Sequence, residues 1–377
     1  MERKKTSSFL PKICSLPLET DFLFLVLLLT AIGLIMLLSA SFPTALYNKG
    51  DALFYFKKQA AYATAGVVAM IAISFIDYEW FRKVSKSFLL FSLLLLAVVL
   101  IPGIGVVRNN ARRWISIAGF DFQPSEIVKL AIIMAFSASI SLKKEKMKTF
   151  KEGILPYAAV LSIVFLLMWK EPHLSGAILI IAVGCSLMVV GGIQCRWIFG
   201  VLAAGGLGIW LLLSGIVPYG QSRIAMWHDP FIDASNEGYQ LSQSIIAIGS
   251  GGLWGLGLGR SRQKYLFLPE VQNDFIFSVV AEELGFVGAC IILLIFALLI
   301  IKGYMIAYWA KDRFGALLCV GITTQLALQT FLNVAVVTGL VPTTGISLPF
   351  FSYGGTALIM QLAEMGIVLS VSRQAKQ

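Results

Sequence analysis

The chain of 377 residues is 58% hydrophobic and only 13% charged, with a mean hydropathy of +0.84, which excludes an ordinary soluble globular protein. Apolar runs long enough, at about 1.5 Å per residue, to cross roughly 30 Å of hydrocarbon identify an all-α polytopic membrane protein, and no alternating ten-residue segments suggest a barrel. The net charge of +10 lies in short loops between apolar runs, so it reports membrane orientation and gives no case for nucleic acid. Cys14, Cys185, Cys195, Cys290 and Cys319 are odd in number and scattered, with no disulfide framework and no CxxC metal pair.

The expected organisation is one integral membrane domain over 1–377 with about ten transmembrane helices. They fall near 21–42, 58–77, 87–103, 125–142, 154–170, 174–192, 197–217, 275–301, 314–338 and 351–371. Residues 1–20 form a cytoplasmic N-terminal segment, 218–273 a large extracytoplasmic loop between spans seven and eight, and 372–377 a cytoplasmic tail. The first run follows Arg3, Lys4 and Lys5 as in a signal peptide, yet it exceeds a usual signal core and further spans follow, so it is expected to stay as the first helix. An even number of spans puts both termini on one side. That side gathers Arg82, Lys83, Lys86, Lys143, Lys144, Lys146, Lys148, Lys151, Arg196, Lys302, Lys311, Arg313 and Arg373, which makes it cytoplasmic by the positive-inside rule.

The outer loops break that rule with Arg108, Arg112, Arg113, Arg223, Arg260, Arg262 and Lys264. Each alone can snorkel to lipid headgroups; as a set they point to an anionic ligand at the outer leaflet. Within the long outer loop, QLSQSIIAIGSGG from Gln240 has the pattern of an amphipathic helix lying on the membrane.

Before the fourth span, Gln123-Pro124-Ser125-Glu126 starts a helix, with proline early and an acid favoured by the helix dipole. Lys129 lies one turn on, so Glu126 and Lys129 are either a structural ion pair or ligands facing a polar cavity. Arg112 and Arg113 can pair a phosphate, with Trp114 at the interface. In the turn Lys170-Glu171-Pro172-His173, His173 is a weak candidate for a proton carrier. The glycines from Gly249 to Gly259 lack a terminal Gly-Lys-Ser/Thr, which excludes a nucleotide loop and leaves close backbone approach to a ligand or a tight re-entrant path.

Asp274 is the candidate catalytic residue. Asn273 or Asp274 can cap the helix expected from Phe275, and because Asn273 serves equally well, Asp274 is free to act as a general base toward a sugar hydroxyl. Two turns deeper, Glu282 or Glu283 is expected to face the bundle interior; Glu282 joins the substrate-binding set with Glu126, Lys129, Arg112, Arg113, Arg260, Arg262 and Lys264. Gln325, Gln329 and Asn333 make a polar stripe for helix–helix hydrogen bonds or, second, a substrate groove. The Gly- and Pro-rich turn from Pro342 to Gly355 should pack over a cavity mouth, and its Ser352 and Gly354 complete the set.

QPSEIVKLA, EPHLSGA, LPEVQNDFIFSVVAEELG and GLVPTTGISLPFFSYGG, in this order and spread through nearly the whole chain, resemble the shape, elongation, division and sporulation (SEDS) family, FtsW, RodA and SpoVE, with a flavour nearer FtsW and SpoVE. The resemblance implies a ten-span bacterial inner-membrane peptidoglycan glycosyltransferase that polymerises lipid II alongside a class B penicillin-binding transpeptidase. It also puts the family's essential outer-loop aspartate on Asp274 and its acid–lysine pair on Glu126 and Lys129. His173 departs from the aspartate of many relatives. A divalent cation, Mg²⁺ or Mn²⁺, suits a diphosphate substrate, although no ligand cluster in the sequence commits to one. A lipid II flippase and a membrane scaffold for a transpeptidase are the alternatives.

Overall fold

The computed structural model describes residues 19–108, 111–117, 120–194, 196–197, 200, 227, 229–231 and 238–375. The N-terminal basic cluster, the expected span at 197–217 apart from residues 197 and 200, and Arg223 lie outside the described residues. Every other expected span falls on a helix: α1 Thr20–Lys49, α2 Phe54–Ser74, α3 Tyr78–Val98, α4 Pro124–Lys143, the short α5 Phe150–Gly153 leading into α6 Leu155–Lys170, α7 Leu174–Val190, α8 Tyr239–Gly251, α9 Ile276–Trp309, α10 Arg313–Val337 and α11 Gly355–Arg373. Six are long and apolar enough to cross a membrane, or seven if α2 and α3, bent by 114°, make one span. The described residues thus form a multi-pass membrane protein but do not reach the expected count of ten.

Burial separates the centre of the bundle from its lipid face. In α4 and α11, 72% of the most apolar window is buried, against 28% in α9; α9 instead turns Ile291, Leu294, Leu298 and Ile301 outward, as lipid contact requires. α4 packs on α3, α7 and α10, while α11 packs along α2. The loop expected before α4 contains an antiparallel sheet of β1 Gly105–Arg108, β2 Ala111–Ile117 and β3 Phe120–Phe122. β2 is rich in Trp and Ile, which suit a pleated half-buried surface, and pairing its amides satisfies a backbone that runs beside the bundle.

α9 is not continuous. Gly285 sits at φ 69° and ψ −174°, a left-handed region that suits glycine, and the break frees backbone groups inside the bundle. The glycine-rich segment after α8 satisfies them. Leu256 and Gly257 N–H donate to the Glu282 and Glu283 carbonyls at 3.0 Å, and Phe286 and Val287 N–H donate to the Gly252 and Leu253 carbonyls at 2.9 and 3.1 Å. A Cβ on Gly255 would stand 2.2 Å from the Glu283 carbonyl oxygen, so the approach needs a residue without one. These glycines do permit a close backbone approach, but to α9 and not to a ligand as expected.

Glu282 and Glu283 are 0% and 1% exposed, so both point inward, and both hold the next part of the loop. Glu282 accepts from Arg262 N–H at 2.9 Å and from the Ser261 hydroxyl. Glu283 accepts from Gly259 and Ser261 N–H at 3.0 and 3.2 Å and pairs with Lys264 at 2.8 Å. Ser39 of α1 donates to Glu283 and accepts from Lys264. Removing one partner of a buried pair leaves an uncompensated charge. Lys264→Met is therefore expected to destabilise the protein by about 3 kcal/mol, read as a lower thermal unfolding temperature in detergent; an unchanged temperature would contradict this role.

Candidate functional site

One cavity of about 580 Å³ opens among α2, the β2–β3 hairpin, the start of α4, the N-terminus of α7, residues 270–274 and the turn before α11. Of the sequence-derived candidates it is lined by Asp274, Glu126, Lys129, Arg113 and Gly354. Segments far apart in the chain therefore meet at Asp274.

Side chains of α10 hold the floor. Asn333 donates to the Asp274 carbonyl at 2.8 Å and to the Ile346 carbonyl at 2.7 Å. Ser352 donates to the Asn273 carbonyl at 2.6 Å and accepts from Leu348 N–H at 2.7 Å, which puts its hydroxyl behind the wall, where it binds the turn to the Asp274 segment. Gly345, at φ +67°, lies against the carboxylate: an added Cβ would stand 3.2 Å from Asp274 Oδ2. Neither Asn273 nor Asp274 caps α9, whose N-cap is Phe275 without a side-chain hydrogen bond. The Asn273 amide instead donates to Glu270, and the Asp274 carboxylate faces the cavity.

Desolvation within this wall pushes the Asp274 carboxyl up to about 6; the Glu270 charge adds to the rise and Arg113 opposes it. Arg113 is fixed by donating to the Glu171 carbonyl at 3.3 Å and to the Pro172 carbonyl. Lys129 pairs with Glu126 at 2.8 Å and donates to Gln329 at 3.3 Å, so one ammonium serves the ion pair and the α10 stripe together. His173 lies 3.5 Å from Gln123, and burial, then Arg113 and Lys129, hold its imidazole down to about 3. It is neutral at physiological pH, which suits a hydrogen-bonding wall residue rather than a cation. Glu171 is fully buried, with no hydrogen bond to its carboxyl oxygens among the described residues, and burial pushes it up to about 8 against the pull of Arg113.

The other candidates are not brought here. Arg112 donates to the Leu100 carbonyl at 3.0 Å. Arg260, Arg262 and Lys264 belong to the loop clamped beside the α9 break, Glu282 is the α9 residue that helps clamp it, and none of the four lines the cavity. The expectation that Arg260 to Lys264 stand with Asp274 around one ligand is thus not met; backbone repair at α9 draws that stretch away. Among lining residues that sequence reasoning passed over are Tyr55, Lys58 and Tyr62, whose spacing puts them on one face of α2 and was the available signal. Infrared titration of the Asp274 carboxyl band, assigned by its loss in Asp274→Asn, is expected to give a midpoint near 6. The midpoint should fall in Glu270→Gln and rise in Arg113→Gln; an unshifted aspartate value would contradict the desolvated wall.

Residues 19–377 match the family model FTSW_RODA_SPOVE, described as "Cell cycle protein". The chain is 42% identical over 352 residues to "Stage V sporulation protein E" of Bacillus subtilis (strain 168), covering 93% of this chain and 95% of the relative. It is 41% identical over 354 residues to "Probable peptidoglycan glycosyltransferase FtsW" of Geobacter metallireducens, covering 94% of each. Among solved structures, a chain described under "Structural coordination of polymerization and crosslinking by a peptidoglycan synthase complex" superposes with TM-score 0.79 at 26% identity, over 94% of this chain and 98% of that one. The rod shape determining protein RodA of Thermus thermophilus superposes with TM-score 0.71 at 26% identity, over 97% of this chain and 99% of that one. With motifs, fold and matches agreeing over nearly the full length, the chain belongs to the FtsW/RodA/SpoVE family.

Proposed function

We propose that the protein is a peptidoglycan glycosyltransferase that polymerises lipid II at the outer face of the bacterial cytoplasmic membrane, serving division, elongation or sporulation. The observation that carries this reading is the Asp274 carboxylate in a cavity that also holds Arg113 and the Glu126–Lys129 pair. A carboxyl raised to about 6 is largely ionised at neutral pH yet basic enough to take a proton, as a general base should be. Asp274 removes the proton from the acceptor sugar's 4-hydroxyl; that oxygen attacks the donor's anomeric carbon, and undecaprenyl diphosphate leaves with inversion and no covalent sugar–enzyme intermediate. Arg113, held by two backbone carbonyls, is prepositioned for the departing diphosphate. The FtsW relative, named a probable peptidoglycan glycosyltransferase, supports an enzyme over a flippase or scaffold.

Mg²⁺ or Mn²⁺ fits the same reading, because Mg²⁺ is commonly held by one or two carboxylates together with substrate phosphates. Glu270, the cavity carboxylate whose charge reaches Asp274, would hold the ion together with the substrate diphosphate and leave Asp274 as the base. A class B penicillin-binding transpeptidase is the proposed partner, supported by the peptidoglycan synthase complex among the structural neighbours. Both termini are proposed to be cytoplasmic, from the distribution of Lys and Arg.

Purified protein with its transpeptidase partner, in detergent where no transport is needed, is expected to convert lipid II into glycan chains. Asp274→Ala should lower the rate by at least about a hundredfold, the usual lower bound for losing a general base. Unchanged chains in that variant would remove Asp274 from the reaction. A well-folded wild-type complex that makes no product would favour the flippase or the scaffold.

A further inference from the structure

We propose that Tyr55, Tyr62 and Tyr353 form a sugar-stacking subsite that holds a hexopyranosyl ring of the acceptor beside Asp274; this rests on the glycosyltransferase reading above. All three rings line the cavity and are half-buried. Tyr55 and Tyr62 are two turns apart on one face of α2, and Tyr353 comes from the turn before α11. Its ring meets Tyr55 edge-on at 4.9 Å and 77°. Tyr62 lies against Gly355, where an added Cβ would stand 2.6 Å from the ring. A glycine is what lets this ring reach the corner.

The corner is fixed to the Asp274 segment by hydrogen bonds. Gln59, one turn from each α2 tyrosine and 1% exposed, donates to the Ser352 carbonyl at 3.0 Å and accepts from Gly354 N–H at 3.2 Å. Tyr353 N–H donates to the Gln272 carbonyl at 2.8 Å, and Ser352 bonds the Asn273 carbonyl. The aromatic corner and the residues just before Asp274 are therefore parts of one hydrogen-bonded unit. A pyranose has apolar C–H faces and a polar hydroxyl rim. Aromatic rings cover the face and leave the rim to polar groups, here Asp274 and Glu270. Interfacial anchoring accounts poorly for these rings, since membrane-belt aromatics face lipid, whereas the lipid side of α2 carries Val68 and Ile71.

The test is steady-state polymerisation of lipid II with thermal unfolding measured in parallel. Tyr55→Leu and Tyr353→Leu are expected to raise KM on the order of tenfold, with Tyr55→Phe, which keeps the ring, between wild type and Tyr55→Leu. Inhibition by undecaprenyl diphosphate, which has the tail and diphosphate without a sugar, should keep the wild-type constant in every variant. A KM within about twofold of wild type in folded leucine variants overturns the subsite, as does an equal loss in Tyr55→Phe and Tyr55→Leu or a matching loss of undecaprenyl diphosphate inhibition. Independently of any variant's folding, the soluble disaccharide-peptide headgroup, without tail or diphosphate, should inhibit wild type competitively. No inhibition at about a hundredfold above the lipid II KM also overturns the subsite. Absence of polymer from wild type would instead overturn the glycosyltransferase reading and the subsite with it.

Discussion

Hydrocarbon offers no partner for a bare amide, carbonyl or charge, and the bundle is organised by that constraint. α9 breaks at Gly285, and the segment after α8 supplies hydrogen bonds on both sides of the break. The repair brings the chain close to α9, where Glu282 and Glu283 take up the amides of Gly259, Ser261, Arg262 and Gln263 and the Lys264 ammonium. Residues 252 to 264 are thereby held against α9. The chain that leaves this clamp runs directly into the segment bearing Asp274.

The cavity follows the same logic with a different outcome. Its backbone is satisfied from behind: Asn333 holds the carbonyls of Asp274 and Ile346, Ser352 that of Asn273, and Gln329 that of Ser347. With those duties met by neighbours, the Asp274 carboxylate faces the open volume, which Arg113 lines while donating to the Glu171 and Pro172 carbonyls. The α10 stripe divides its work accordingly. Gln325 bonds Glu364 within the bundle, the helix–helix hydrogen bond expected of the stripe, whereas Gln329 and Asn333 hold backbone carbonyls of the cavity wall.

Features carried by local pattern were legible in the sequence. Apolar runs located the helices, and the spacing of Glu126 and Lys129 on one helical turn correctly implied contact. Asp274 stood out because a carboxylate at a membrane boundary needs a reason, and the cavity supplies one. Features set by distant contacts were not legible. Nothing near Arg260 announces that Glu282 and Glu283 bind its loop, so a basic cluster that looked like a ligand clamp lies beside the helix break instead. Either glutamate was expected to face inward, and both do, because the break lets the loop wrap their carboxylates. Tyr55 and Tyr353 belong to opposite ends of the chain and meet only through Gln59 and the turn before α11.

The central claim is that chemistry occurs in the cavity bounded by Asp274, Arg113 and α2, and not on the loop surface around Arg260. The most direct measurement is a structure of the Asp274→Asn protein, with its transpeptidase partner, trapped with lipid II. Sugar density inside the cavity, with an acceptor hydroxyl at the position-274 side chain and the donor diphosphate at Arg113, is the predicted result. An ordered headgroup held by Arg260 and Arg262 with the cavity empty would contradict the account.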